Sequence, residues 1–300
     1  MYIANSIYCK PYEKFGISGI FTVYPCIRLL ALIIFTLLLI RSPISYAESE
    51  ANATLNSDTL YFYNSETNIN NYVSLKIAFD TYLSKFGTFR FQPFSDKEIF
   101  EKTLVEKQDG GFLLSSWHYR ILQKKVPITP VLVGVSHGKS TQRKVLSAKK
   151  QINEVELLKG GKIASASNEA YTRTILNQIL GKKSAEILAQ VKLILVPKDI
   201  DALMAVGFGM ADAALTTEDS LDDLAKINQK QFSMLTRLGA SEKQFLTLVV
   251  VPKKTTVNTA VLLEILEGMS KAPEGESRLR MLGLNGWRKL TQSELKELDP

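Results

Sequence analysis

The sequence predicts an α/β fold. Apolar residues recur first with strand and then with helix periodicity, repeatedly, from Thr59 onward, and Gly, Pro or polar residues break the runs. One run, Gln244 to Val251 (QFLTLVVV), reads as a wholly apolar strand of the kind buried on both faces of a sheet. Strand, helix, strand, helix at short spacing implies mostly parallel strands.

Taken in order, Thr59–Tyr63 (TLYFY) is β-rich and is followed by the polar loop Asn64, Ser65, Glu66, Thr67, Asn68. A helix from about Asn71 places Tyr72, Leu75, Phe79, Tyr82, Leu83 and Phe86 on one face, and Gly87 stops it. Phe89–Pro93 is a second strand. Ser95 and Glu98 then read as a capping box for a helix carrying Phe100, Leu104 and Val105. After Gly110–Gly111, Phe112–Ser116 is a third strand, and Ser115 to Tyr119 opens a helix at its end. Val131–Val135 is a strand, Ser136–Thr141 a polar loop, and Arg143–Leu146 follows it.

The segment Leu157–Gly181 then combines a Gly-Gly turn, the strand Lys162–Ala166, a knot of Ser165, Ser167 and Asn168, and a helix with Ile175, Leu176, Ile179 and Leu180 at helical spacing. A strand feeding a Ser/Asn-capped helix gathers free backbone N–H groups at the positive end of a dipole, a ready site for an acceptor-rich ligand. Leu193–Val196 is a strand, Asp199 is the expected cap of a helix with Ile200, Leu203 and Met204, and Asp212–Thr217 is a strand ending in polar residues. Helices are expected at Glu218–Ile227, Val261–Met269 and Glu276–Leu282, with a last one behind a second capping box, Thr291 with Glu294. Strand ends at Asn64–Ser65, Ser115–Ser116, Ser165–Asn168 and Thr216–Thr217 are polar, and in open α/β sheets such ends converge on the ligand crevice.

The N-terminus stands apart from this core. Leu29–Ile40 is an apolar run of about 12 residues between Arg28 and Arg41, too short to span a hydrocarbon layer of ~30 Å as a helix. With the Ser45-Tyr46-Ala47 ending it reads as a secretory signal, residues 1–47, cut after Ala47. The competing reading is an uncleaved anchor, and a later start codon would account for the long stretch before Arg28. Cleavage leaves 33 basic against 29 acidic side chains, a net charge of +4 instead of +7, and removes both cysteines, Cys9 and Cys26. Disulfide and thiol chemistry are therefore not expected, and mixed charge without a basic block gives no nucleic-acid footprint.

Catalytic signatures are missing. No G-x-S-x-G occurs, Ser136-His137-Gly138-Lys139-Ser140 lacks P-loop spacing, and His118 and His137 are the only histidines, so neither a cofactor nor a metal is expected.

The succession of the leader, DGGFLLSSWHYR (Asp109–Arg120), ELLKGGKIASAS (Glu156–Ser167) and DIDALMAVGFGMADAAL (Asp199–Leu215) resembles the phosphate/phosphite/phosphonate (PhnD-like) periplasmic solute-binding proteins of ABC transporters. The resemblance covers the mature chain in order. It implies a type 2 periplasmic-binding fold: lobe one at about 55–145 plus 246–300, lobe two at 146–245, and a hinge of two crossing strands. It also implies a periplasmic, non-enzymatic and monomeric protein that captures a small polar, oxyanion-bearing ligand and delivers it to an inner-membrane permease. The ligand is expected between Tyr63, Ser65, Ser116, Trp117 and Tyr119 on one side and Ser167, Asn168, Tyr171, Thr172 and Thr217 on the other. Trp117 and Tyr119 are read either as an aromatic wall or as packing between lobe and helix.

One departure bears on the ligand. Phosphonate binders of the family typically show Ser-Thr-Ser-Gly where this chain has Ser165, Ala166, Ser167, Asn168, Glu169. Glu169 would repel a dianion by ~1 kcal/mol, unless it pairs with Arg173 one turn on. That leaves a ligand with a cationic or hydroxyl part open. The alternative function is a periplasmic ligand-sensing subunit that signals to a membrane kinase or cyclase.

Overall fold

The computed structural model describes residues 58–67, 71–107, 109–253 and 256–298. The leader with its cut after Ala47, the tether Ala51–Ser57 and Asn68 lie outside the described residues. The strands are β1 (Thr59–Phe62), β2 (Arg90–Pro93), β3 (Gly111–Leu114), β4 (Ile128–Val135), β5 (Thr141–Gln142), β6 (Lys144–Lys149), β7 (Lys162–Ser165), β8 (Lys192–Leu195), β9 (Ala213–Thr217), β10 (Leu235–Ala240), β11 (Gln244–Phe245), β12 (Leu248–Pro252) and β13 (Gly286–Lys289). They form a six-stranded sheet in the order β13-β4-β12-β3-β1-β2, a five-stranded sheet in the order β10-β6-β9-β7-β8, and the isolated pair β5–β11.

The expectation of mostly parallel strands is corrected to a mixed arrangement. β1 runs parallel to β2 and β3, and β7 parallel to β8 and β9, because each of these pairs is joined through a crossover segment containing helix. The strands that carry the chain between the two sheets pair antiparallel: β6 with β9 and β10, and β12 with β3 and β4. The run Gln244–Val251 is likewise two strands, because Leu246 and Thr247 separate the short pair member β11 from β12.

Each sheet is covered on both faces. Along β1, Leu60 and Phe62 turn to one cluster with Leu75, Phe79 and Leu83 of helix α1 (Tyr72–Leu83). Tyr61 turns to the other, with Phe100 and Leu104 of α2 (Lys97–Glu106) and Tyr119 of α3 (Ser116–Leu122). This is the period-2 alternation of a strand realised in packing. In the second sheet, Ile163 of β7 faces Ile175 and Leu176 of α4 (Glu169–Leu180). Its neighbour Ala164 faces Leu203 of α5 (Asp199–Gly207) and Leu224 of α6 (Glu218–Ile227).

Helix starts follow local chemistry, with two corrections. Asp96, not Ser95, caps α2, its carboxylate accepting from the N–H groups of Glu98 and Ile99 at 2.8 and 3.0 Å. Lys198 occupies the cap position of α5, which makes Asp199 the first helical residue and frees its carboxylate for another use. The Thr291–Glu294 box forms as expected, with Thr291 N–H donating to Glu294 at 2.8 Å and Glu294 N–H to Thr291 Oγ1 at 3.3 Å.

Gly110 shows why glycine ends the α2–β3 connection. Its φ is +82°, and a Cβ there would collide with the backbone carbonyl of Thr59. Gly110→Ala should lower the urea midpoint of unfolding by an amount worth at least about 2 kcal/mol, with an unchanged m-value. An unchanged midpoint would show that β1 can move aside.

Candidate functional site

Between the two sheets lies a cavity of about 340 Å³. The loops after β1, β4, β7, β8 and β9 line it, so it sits at the carboxyl ends of strands from both sheets. Gln142 of β5 and the adjacent Lys144 line it where the chain passes between the sheets.

Three charged groups define its interior. Glu66, on the loop after β1, is 5 % exposed. Its Oε2 accepts a hydrogen bond from the Gln142 side-chain amide, while Oε1 is buried without a partner. Burial pushes its carboxyl up to about 7; Lys144 pulls in the opposite direction, and Asp199 adds to the rise. Lys144, which opens β6 and is 3 % exposed, places Nζ 3.4 Å from Asp199 Oδ2. That same oxygen accepts from the Thr217 N–H at 2.6 Å, so Asp199 ties α5 to the end of β9. Lys144 thus pairs directly with Asp199 and acts on Glu66 only through its charge, so Glu66 is the less compensated of the two carboxylates. At the rim, Asp219 and Asp223 are exposed partners of Lys139 and Lys226 at 2.9 Å each.

Of the residues expected from sequence, Thr217 lines this cavity and the other nine do not. Several of them join the loop after β1 to the turn after β7 instead. Asn168, the cap of α4, accepts from Tyr171 N–H at 2.8 Å, while its own N–H donates to the Ser65 carbonyl at 3.0 Å and its side-chain amide donates to the Tyr63 hydroxyl at 3.0 Å. Ser167 Oγ donates to the Glu66 carbonyl at 2.9 Å. Three N–H groups at the start of α4 are thus engaged by the chain itself: those of Asn168 and Tyr171, and that of Ser167, which is turned to Ser165 Oγ at 3.3 Å.

The rest support this contact from behind. Ser65 Oγ meets Ser115 Oγ at 2.8 Å, Ser116 Oγ donates to the Phe245 carbonyl at 2.8 Å, and Tyr171 hydroxyl donates to Gln244 Oε1 at 2.9 Å. Thr172 Oγ1 donates to Ser165 Oγ at 3.0 Å. Trp117 sets its ring edge-on to Tyr171 with centroids 5.6 Å apart, and Tyr119 is buried in the cluster with Tyr61, Phe100 and Leu104. Glu169 pairs with Arg173 at 2.8 Å, the i,i+4 contact its spacing allowed. His118 is buried against Glu101 at 2.9 Å, and burial lowers its pKa.

Sequence reasoning missed Glu66, Lys144 and Asp199 as site residues. Lys144 carried a signal in retrospect, a charged residue opening a strand that is otherwise apolar as far as Leu146.

A model of the family described as "ABC transporter, phosphonate, periplasmic substrate-binding protein" matches residues 85–295. No curated protein sequence matches. Among solved structures, a binding-protein component of an ABC phosphonate transporter from Pseudomonas aeruginosa (PA3383) is 12 % identical with a TM-score of 0.58, over 81 % of this chain and 86 % of that one. XAC2383 from Xanthomonas citri, solved with ATP, is 13 % identical with a TM-score of 0.56, over 81 % and 96 %. PhnD1 from Prochlorococcus marinus, solved with methylphosphonate, is 14 % identical with a TM-score of 0.55, over 81 % and 96 %. At these identities the likeness establishes the fold, which is that of the type 2 periplasmic-binding proteins.

Burial of Glu66 has a definite pH signature. Its folded-state pKa lies above its ordinary value of 4.5, so the folded chain binds more protons than the unfolded one between about 4.5 and 7. Stability from this group is therefore lost as pH rises through that window, by about 3 kcal/mol in total. Glu66→Gln keeps the acceptor for Gln142 and lacks the titration. Its stability relative to the unsubstituted chain should climb across the window and level off above about pH 7, as measured by urea unfolding. A constant difference would show that Glu66 is hydrated.

Proposed function

The chain belongs to the family of phosphonate periplasmic substrate-binding proteins of ABC transporters, periplasmic transport components that bind a small molecule and work with a permease rather than catalyse a reaction; from that premise we propose that the cavity between its sheets holds the transported ligand. The ligand is a small polar molecule bearing an oxyanion of the phosphate or phosphonate type. The observation that carries this reading is Lys144. It is a buried cation whose distance to Asp199, 3.4 Å, is longer than the 2.7–2.9 Å of a tight charge-assisted hydrogen bond. A ligand oxygen can share it, with the Thr217 and Ser220 hydroxyls at the start of α6 nearby on the cavity wall.

Two lobes, residues 58–140 with 246–298 and residues 144–241, close about the β5–β11 pair, and the Asn168 and Ser167 contacts act as the latch of the closed form. In this reading Tyr63, Ser65, Ser167 and Asn168 govern closure, and Ser116, Trp117, Tyr119, Tyr171 and Thr172 brace them. The chain is exported through residues 1–47, cut after Ala47, and acts as a monomer. Family membership favours transport over the sensing role.

Thermal unfolding of the chain from Glu48 onward tests this with phosphate, phosphite and methylphosphonate. A ligand at 100 times its Kd adds about 2.7 kcal/mol, a rise of roughly 5 to 10 °C for a chain of this size. The rise should be lost in Lys144→Met. Absence of a shift with all three, or an undiminished shift in Lys144→Met, would contradict the assignment.

A further inference from the structure

We propose that Glu66 selects the ligand: the cavity accepts molecules that present a hydrogen-bond donor to Glu66 Oε1 beside the anionic oxygen they present to Lys144, and it turns away oxyanions that carry no donor. This rests on the reading that the cavity is the ligand site, and it adds a rule for what may enter.

Four observations carry it. Glu66 lines the cavity and is 5 % exposed, so water does little to solvate its charge. The Gln142 amide engages Oε2, which fixes the carboxylate plane, and Oε1 is left buried with no partner. Ser167 Oγ holds the Glu66 carbonyl at 2.9 Å, which keeps the residue from swinging outward while the latch is closed. The groups around it are Lys144 and Asp199. Lys144 is shared with Asp199 at 3.4 Å and cannot fully neutralise a second carboxylate.

An ionised carboxylate oxygen only accepts hydrogen bonds. Left unpaired in a shielded cavity, it destabilises whatever state buries it, and a bare anionic oxygen set against it adds like-charge repulsion. A donor on the ligand removes both costs. The donor can be the P–OH of a singly protonated phosphonate or phosphate, or an ammonium on the organic part of the ligand. Both meet the same acceptor, and three probes of similar size tell them apart. Methanesulfonate has neither donor, methylphosphonate can retain a P–OH proton, and 2-aminoethanesulfonate carries an ammonium.

Calorimetric titration of the chain from Glu48 onward at pH 8 keeps Glu66, which titrates at about 7, largely ionised. The unsubstituted protein should bind methylphosphonate, 2-aminoethanesulfonate or both roughly tenfold or more tighter than methanesulfonate. Preference for the first assigns the donor to P–OH, preference for the second to ammonium. Glu66→Gln offers both an acceptor and a donor and keeps the contact to Gln142, so it should fold and bring methanesulfonate to within about threefold of the preferred probe. Equal binding of methanesulfonate by the unsubstituted protein, or a preference that survives in Glu66→Gln, overturns the inference and leaves the ligand site standing. Silence from all three probes in both proteins overturns the ligand site and the inference with it.

Discussion

Asn168 ties the turn after β7 to the loop after β1, and the cavity lies beside that tie. Its side chain caps α4 and reaches the Tyr63 hydroxyl, its N–H meets the Ser65 carbonyl, and Ser167 beside it bonds the Glu66 carbonyl. Each neutral hydrogen bond contributes about 1 kcal/mol net, so the three that join this turn to Tyr63, Ser65 and Glu66 amount to a few kcal/mol. In the proposed two-lobe reading, that is enough to favour a closed form and small enough to be reversed by the motion of a hinge. The same contacts engage the N–H groups of Ser167, Asn168 and Tyr171, and Ala166 just before them lies on the cavity wall.

That pocket owes its character to Glu66, whose backbone is pinned by Ser167 and whose side chain is buried between Gln142 and the Lys144–Asp199 pair. Burying three charges with two of one sign is costly unless something offsets it. A protein that must release as well as capture its ligand can use that imbalance. In the proposed reading, closure without a suitable ligand shuts in an unsatisfied carboxylate oxygen, and closure over one satisfies it. The pocket's position at the carboxyl ends of strands brings loops from both sheets to one cavity.

Much of the framework was legible in the sequence because it is set by local pattern. The alternation of Leu60, Tyr61 and Phe62, the Asn168 cap, the Thr291–Glu294 box and the Glu169–Arg173 pair all depend on residues a few positions apart. The edge strands β10 and β13 were not read, since Leu235–Ala240 and Gly286–Lys289 carry polar residues and glycine and owe their conformation to the neighbour they pair with. Asp199 was read as a cap because nothing local reveals that its carboxylate turns to Lys144 and Thr217, 55 and 18 residues away. Glu66 was legible as a loop residue at a strand end, but its burial is created by partners 76 and 101 residues distant, Gln142 and Ser167. The Ser167–Asn168 turn was legible as a cluster of free N–H groups, and only the fold shows that those of Ser167 and Asn168 meet the Ser165 hydroxyl and the Ser65 carbonyl.

A crystal structure grown with methylphosphonate tests this account most directly. The expected result is an anionic ligand oxygen against Lys144 Nζ and the P–OH against Glu66 Oε1, with Asn168 still bonded to Tyr63 and Ser65. A ligand seated instead on the N–H groups at the start of α4, with Asn168 and Ser167 released from the opposite half, would contradict it.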